Sequence, residues 1–216
     1  MSHITLIRHG QANSAARDEE SYDKLSPLGH QQARWLGDYL RDAAAHHPRV
    51  YCGTLVRHVE TAASAGFDDV TRDPRLNEIP YFTLATLLQD QRGLQIPTDR
   101  EGFVLHLPQV FMAWAMGEIE EVPISFDDYI DGVTTALAEI GGGSGPALVV
   151  TSGGLISMVM RGTLGLDMPA TARMALAIMN TSMHRIFPIG ETMTPVLFNA
   201  VPHLEAPDRH HAQTHL

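Results

Sequence analysis

The stretch "LIRHGQANS", residues 6–14, decides how the rest of the chain is read. Residues 3–8 have the β-branched, apolar character of a buried strand. That strand runs directly into an arginine, an imidazole and a glycine, at 8, 9 and 10. A core strand that ends this way delivers two nitrogen-rich side chains to one edge of a sheet. In open α/β sheets, ligands bind outside the carboxyl ends of strands. The question is whether strands and helices alternate further along.

They do. In "SPLGHQQARWLGDYLRDAAA" (26–45), Ser26 is placed as an N-cap and Pro27 at the first helical position. Leu28, Ala33, Leu36 and Leu40 recur at helical spacing, with Trp35 expected on the sheet-facing side. "RVYC" (49–52) reads as a short strand, and "TLVRHVETAASAG" (54–66) as a helix stopped by Gly66. Residues 70–78 start extended and run into a loop. The segment 80–125 carries prolines at 80, 97, 108 and 123 and glycines at 93, 102 and 117. It reads as an insertion of short helical pieces over one end of the sheet. A helix at 126–140, a Gly-rich connector at 141–146 and a strand at 147–152 follow, the strand apolar enough to be buried on both faces. "GGLISMVMRGTLG" opens a helix, and "MHRIFPI" and "PVLFNAV" read as closing strands. The fold class expected is α/β: an open, mostly parallel sheet with helices on both faces. A single domain spans 1–216, with a polar, loose tail from about 204.

Bulk properties narrow the function. A net charge of −10 and the absence of long Lys/Arg runs argue against nucleic acid and acidic membranes as partners. The single cysteine, Cys52, precludes an intrachain disulfide and suits a reducing compartment. Only four apolar residues precede Arg8, against the roughly 7–15 of a secretory leader. The expectation is a soluble cytoplasmic protein of undetermined oligomeric state.

Three features carry chemistry. Arg8 and His9 lie at a strand's carboxyl end, although two polar residues there could equally be surface. Arg57 falls in the first turn of a helix that follows a strand. It is an ordinary solvated arginine unless it converges with Arg8 into a two-pronged anion site, because guanidinium groups take phosphate oxygens in bidentate fashion. Glu78, in "RLNEIPY", is either a loop acid or a general acid with its pKa raised by apolar walls and a nearby phosphate. Gln11, Asn13 and Ser14 could donate to a phosphate oxygen or simply satisfy a turn.

"LIRHGQ", "LSPLGHQQARWLGDYL", "VYCGTLVRHVETA", "RLNE" and "ALVVTSGGLIS", in that order, resemble the histidine phosphatase superfamily, the phosphoglycerate-mutase-like fold. The resemblance implies a three-layer α/β sandwich. It implies a phosphoryl-transfer site in which His9 is the nucleophile, Arg8 and Arg57 hold the phosphate, and Glu78 protonates the leaving oxygen. The substrate would be a small phosphorylated molecule, with no cofactor and no metal. Two flanking cations disfavour a protonated His9 and leave a ring nitrogen free to attack. Gly10 would let the backbone approach the phosphoryl group.

One position departs from the family. Its fourth strand ends in a second histidine, and the matching residue here is Ser152, followed by Gly153 and Gly154. A serine hydroxyl donates one neutral hydrogen bond, about half as strong as a charge-assisted one. The helix start at Gly153 could add backbone N–H groups. The expectation is a weakened or altered metal-independent phosphatase. The alternative is an impaired phosphate-binding or regulatory module. A mutase ranks last, because "QANSAARDEE" stands where that branch carries a tryptophan-asparagine pair. If serine is a simple impairment, Ser152→His raises the rate. His184, on a late strand, or His58, next to Arg57, could step in for the missing histidine, but a packed or exposed face is expected for each. His46-His47 are read as a helix-end charge pair, and His210, His211 and His215 as a solvated tail. The methionines at 158, 160, 174, 179 and 183 read as core filling. Trp114, Phe103 and Phe111 are either core of the insertion or lining of a substrate pocket.

Overall fold

The computed structural model describes residues 2–13, 18–190 and 192–215, so Ser14 lies outside the described residues. Strands β1 (Ile4–Arg8), β2 (Arg49–Cys52), β3 (Thr71–Arg72), β4 (Ala147–Thr151), β5 (Met183–Ile189) and β6 (Thr192–Ala200) form one sheet in the order β3-β2-β4-β1-β5-β6. The first four are parallel, and β5 and β6 join antiparallel. The helices are α1 (Glu19–Tyr22), α2 (Pro27–Asp42), α3 (Val56–Ser64), α4 (Tyr81–Arg92), α5 (Arg100–Ala115), α6 (Phe126–Gly142), α7 (Gly153–Leu164) and α8 (Met168–Ala177). This is the mixed α/β, mostly parallel architecture expected from the sequence.

The central strands β1 and β4 are buried on both faces. Ile4, Leu6, Ala147 and Val149 pack with residues of α4 to α8. Ile7, Leu148 and Val150 turn to the other face, against Leu36 and Leu40 of α2 and Ala62 of α3. The two-residue period of a strand sends alternate side chains to opposite layers, so a central parallel strand reads as an unbroken apolar run.

Three expectations need correction. The pieces in 80–125 are not short: α4 has 12 residues and α5 has 16. Pro80 and Pro97 lie outside these helices, but Pro108 lies inside α5. An interior proline costs a helix about 3 kcal/mol. Burial of Val110, Phe111, Ala113 and Trp114 on the same helix offsets that cost, and Trp114 and Phe111 belong to the core. Helix α8 has no counterpart in the sequence reading, although Asp167 caps it and Pro169 sits in its first turn. The tail is not loose. Leu204 and Ala212 are fully buried, and Trp35 packs against them instead of the sheet. The Gln32 side-chain amide donates to the Ala212 carbonyl at 2.7 Å. The tail carries enough apolar surface to dock even though its composition is polar.

His47 also departs from its expected role. Burial pushes its pKa down to about 4, so it is a neutral partner of Thr5 Oγ1 at 3.1 Å and not a cation at a helix end. The tail histidines do not converge. His210 bonds the Glu205 carbonyl and His215 meets Arg100. Among the described residues, no helix is long and apolar enough to cross a membrane.

A docked tail makes a measurable demand. Leu204→Ala removes a buried side chain, and we expect it to lower unfolding stability by about 2–5 kcal/mol in urea titration. A detached tail would leave the midpoint unmoved.

Candidate active site

The parallel pairing of β1 with β4 sets the site. Ile4 to Arg8 align with Ala147 to Thr151, and the His9 N–H donates to the Thr151 carbonyl at 2.8 Å. His9 and Ser152 therefore leave neighbouring strands at the same level. β2 flanks β4 on its other side, so α3, which follows β2, starts at this edge too.

His9 is 1% exposed. Its Nδ1 lies 2.7 Å from the Gly10 carbonyl oxygen. A carbonyl only accepts, so Nδ1 carries the proton and Nε2 keeps its lone pair. Burial holds the imidazole well below the usual histidine range, and Arg57 and Arg8 push it the same way. His9 is thus neutral, in the tautomer a nucleophile at Nε2 requires.

Arg8 and Arg57 converge on it, at 8% and 1% exposed. One Arg8 terminal nitrogen donates to the Ile178 carbonyl. Arg57 Nη1 pairs with Asp23 Oδ1 at 3.0 Å, and its guanidinium lies 4.9 Å from the centre of the Tyr22 ring. Asp23 also accepts from the backbone N–H groups of Val56 and Arg57, at 2.9 and 3.2 Å. It caps α3, whose own N-cap, Leu55, has no side-chain acceptor. The Nε atoms of both arginines are buried without a hydrogen-bond partner among the described residues.

Glu78 reaches the same edge. Its carboxylate accepts from Ile79 N at 2.9 Å and from Gly154 N at 3.2 Å, at the start of α7. A Cβ on residue 154 would stand 2.2 Å from Glu78 Oε1, so the glycine there makes room for the acid. Asn77 ties this loop to α3 by accepting from Thr54 N at 2.7 Å.

The remaining candidates are placed as follows. Gly10 serves packing: a Cβ there would lie 2.4 Å from the Gly29 carbonyl oxygen of α2. The Gln11 side-chain oxygen accepts from Ser26 Oγ, and the Asn13 amide donates to the Ser21 carbonyl, so both make contacts that hold the loop. His184 is buried in a bond to Ser182 Oγ, with its pKa lowered to about 3 by burial and by Arg8. His58, expected on a packed or exposed face, is instead part of the site. It is fully buried, its ring lies 5.8 Å from that of His9, and its Nε2 is 2.6 Å from Ser152 Oγ. Asp23 has no local signal in the sequence.

The histidine phosphatase superfamily (branch 1) model matches residues 4–201. The chain belongs to that superfamily. Solved structures of similar fold include a phosphoserine phosphatase mutant from Entamoeba histolytica in complex with phosphoserine (19% identity, TM-score 0.69, covering 94% of this chain and 100% of that one). Bacillus stearothermophilus YhfR is similar at 20% identity and TM-score 0.69, covering 95% and 100%. A mycobacterial glucosyl-3-phosphoglycerate phosphatase is similar at 22% and 0.63, covering 93% and 99%. At these identities the likeness establishes the fold. No curated protein matches the sequence.

Two measurements follow from this geometry. Asp23→Ala strands the buried Arg57 guanidinium and uncaps α3. We expect a loss of about 1–3 kcal/mol, below the full penalty for an orphaned buried charge because Asp23 is itself partly solvated. Asp23→Asn, which keeps an acceptor, should fall between. The second concerns pH. His9, His58 and His184 have lowered folded-state pKa values, so the unfolded chain binds protons more readily below about 6.5. Stability is then full above that pH and falls as pH drops through it, by about 1.4 kcal/mol per unit for each such histidine. Urea unfolding at pH 7 and pH 5 checks this, and equal stability at the two would contradict it.

Proposed function

We propose that this superfamily member hydrolyses phosphomonoesters in the cytoplasm through a phosphohistidine on His9, without a metal or cofactor. The observation that carries the reading is the pair of buried, unpartnered guanidinium Nε atoms beside a neutral imidazole with a free Nε2. Buried donors are rarely left without acceptors. A phosphoryl group between Arg8 and Arg57 supplies them.

In the proposed reaction, His9 Nε2 attacks phosphorus in line, forming the N–P bond as the ester P–O bond breaks. Glu78 gives its proton to the departing alkoxide oxygen. The resulting carboxylate then takes a proton from water, which attacks the phosphohistidine and returns His9 with its lone pair. Arg8, Arg57 and the first turn of α7 at Gly153 stabilise the charge on the equatorial oxygens. Such a transfer consists mostly of positioning and electrostatics, which these groups provide. A small phosphorylated molecule is the substrate class, in keeping with the phosphoserine bound by the Entamoeba relative.

Ser152 favours a second reading, an impaired phosphate-binding module, because a neutral hydroxyl stands where the family has an imidazole. A chromogenic phosphomonoester separates the two. Under the first reading, turnover persists in EDTA, His9→Ala abolishes it, and Arg57→Ala lowers kcat by about 10²–10³. Quenching at alkaline pH should trap label on the wild type and none on His9→Ala. Wild type and His9→Ala that are equally inert, while both bind phosphate, would establish the module instead.

A further inference from the structure

His58 is a buried group at the site that the reaction above leaves unused. Four observations bear on it. Ser152 occupies the N-cap of α7, yet its hydroxyl accepts no bond from that helix's first turn. It meets His58 Nε2 instead, at 2.6 Å, with both side chains fully buried. His58 Nδ1 is buried with no partner among the described residues. Space for the ring exists because residue 53 is glycine, where a Cβ would come 2.2 Å from that Nδ1. A chain that gives up a helix cap and leaves a ring nitrogen unsatisfied is holding the imidazole against Ser152.

The proton can be placed. A buried N–H without an acceptor is rarer in proteins than an under-satisfied acceptor. The lone pair therefore belongs on Nδ1 and the proton on Nε2, which donates to Ser152 Oγ. That bond uses the acceptor side of the hydroxyl and leaves its O–H free to donate. Ser152 lies beside His9 across the β1–β4 pair, the side from which an oxygen of a phosphoryl group on His9 would accept that O–H.

We propose that Ser152 and His58 together replace the second histidine of the family: the serine hydroxyl donates to the phosphoryl oxygen, and His58, donating to the hydroxyl from behind, positions and polarises it. This rests on the phosphohistidine reading above. Chained hydrogen bonds strengthen one another. The arriving phosphate also offsets the burial and the Arg57 charge that keep His58 neutral, so the imidazole can take a proton from solvent when the site is filled. Ser152 would be the catalytic contact and His58 a positioning residue. The pair also reverses the simple expectation for Ser152→His, because a second imidazole at 152 collides with the one already there.

The test compares wild type, Ser152→Ala, His58→Ala, Ser152→Ala/His58→Ala, Ser152→His and Ser152→His/His58→Ala, with His9→Ala as control. Each is checked for folding by circular dichroism and thermal melting, and His58→Asn substitutes for His58→Ala if the latter does not fold. We expect Ser152→Ala and His58→Ala each to lower kcat about tenfold or more, with KM little changed, and their combination to be no worse than the poorer single variant. His58→Ala should also move the acidic limb of the pH–kcat profile, which a purely structural role would not do. Ser152→His should lose activity, and adding His58→Ala should recover at least tenfold of it. If His58→Ala keeps both kcat and the pH profile, or the exchanged double variant is no better than Ser152→His, the pairing is wrong. Should the wild type bind phosphate without turning over, affinity for inorganic phosphate replaces kcat: an unchanged value in His58→Ala overturns the proposal. The His9→Ala control reports separately on the phosphohistidine reading, so either idea can fail alone.

Discussion

The hydrogen-bonded register between β1 and β4 is the constraint on which the site depends. It places His9 and Ser152 side by side although 143 positions separate them in the chain, the difference between 152 and 9. β2 on the far side of β4 then brings the first turn of α3, with Arg57 and His58, to the same edge. A slip of one residue would send every inward side chain of β1 to the opposite layer. The alternating burial of Leu6 and Ile7 in separate clusters shows what prevents it. The core thus fixes the geometry of a polar site to which it contributes no polar atom.

That geometry concentrates positive charge. Two guanidinium groups and two imidazoles are buried within one small volume, and Asp23 pairs with one of the four. Unpaired buried charge is costly, so both imidazoles respond by staying neutral. The arginines cannot respond that way, because a guanidinium does not give up its proton in a protein. The cost of holding them is recovered when an anion enters. Neutral His9 is the other half of the same arrangement, since the cations that would attract a phosphate also keep the imidazole unprotonated.

Much of this was legible in the sequence, because the relevant signals are local. A β-branched run that ends in Arg-His-Gly, a serine-proline helix start and an apolar strand before Ser-Gly-Gly each declare their structure within ten residues. What was not legible depends on distance. Asp23 caps a helix that begins more than thirty positions later, and nothing in "SYDKL" announces it. The tail is polar by count, yet Leu204 and Ala212 pack it against Trp35 and Gln32 ties its backbone down. Four prolines suggested broken helices in 80–125, but α5 absorbs Pro108 because its apolar face is buried. Gly10 was credited to the ligand, whereas the structure assigns it to close contact with Gly29.

Ser152 and His58 show why a missing residue has to be read in space as well as along the chain. Read along the chain, the serine is a loss, because the imidazole expected at the end of β4 is absent. Read in space, an imidazole lies 2.6 Å from the serine oxygen, supplied by the helix after β2. A phosphoryl site selects for groups at positions in space, and adjacent parallel strands offer two backbones from which one such position can be filled. An imidazole can therefore reach the end of one strand from the helix that follows its neighbour. The cue was present beside the clamp: a histidine immediately after Arg57, in the first turn of a helix whose parent strand lies next to the strand that lacks one.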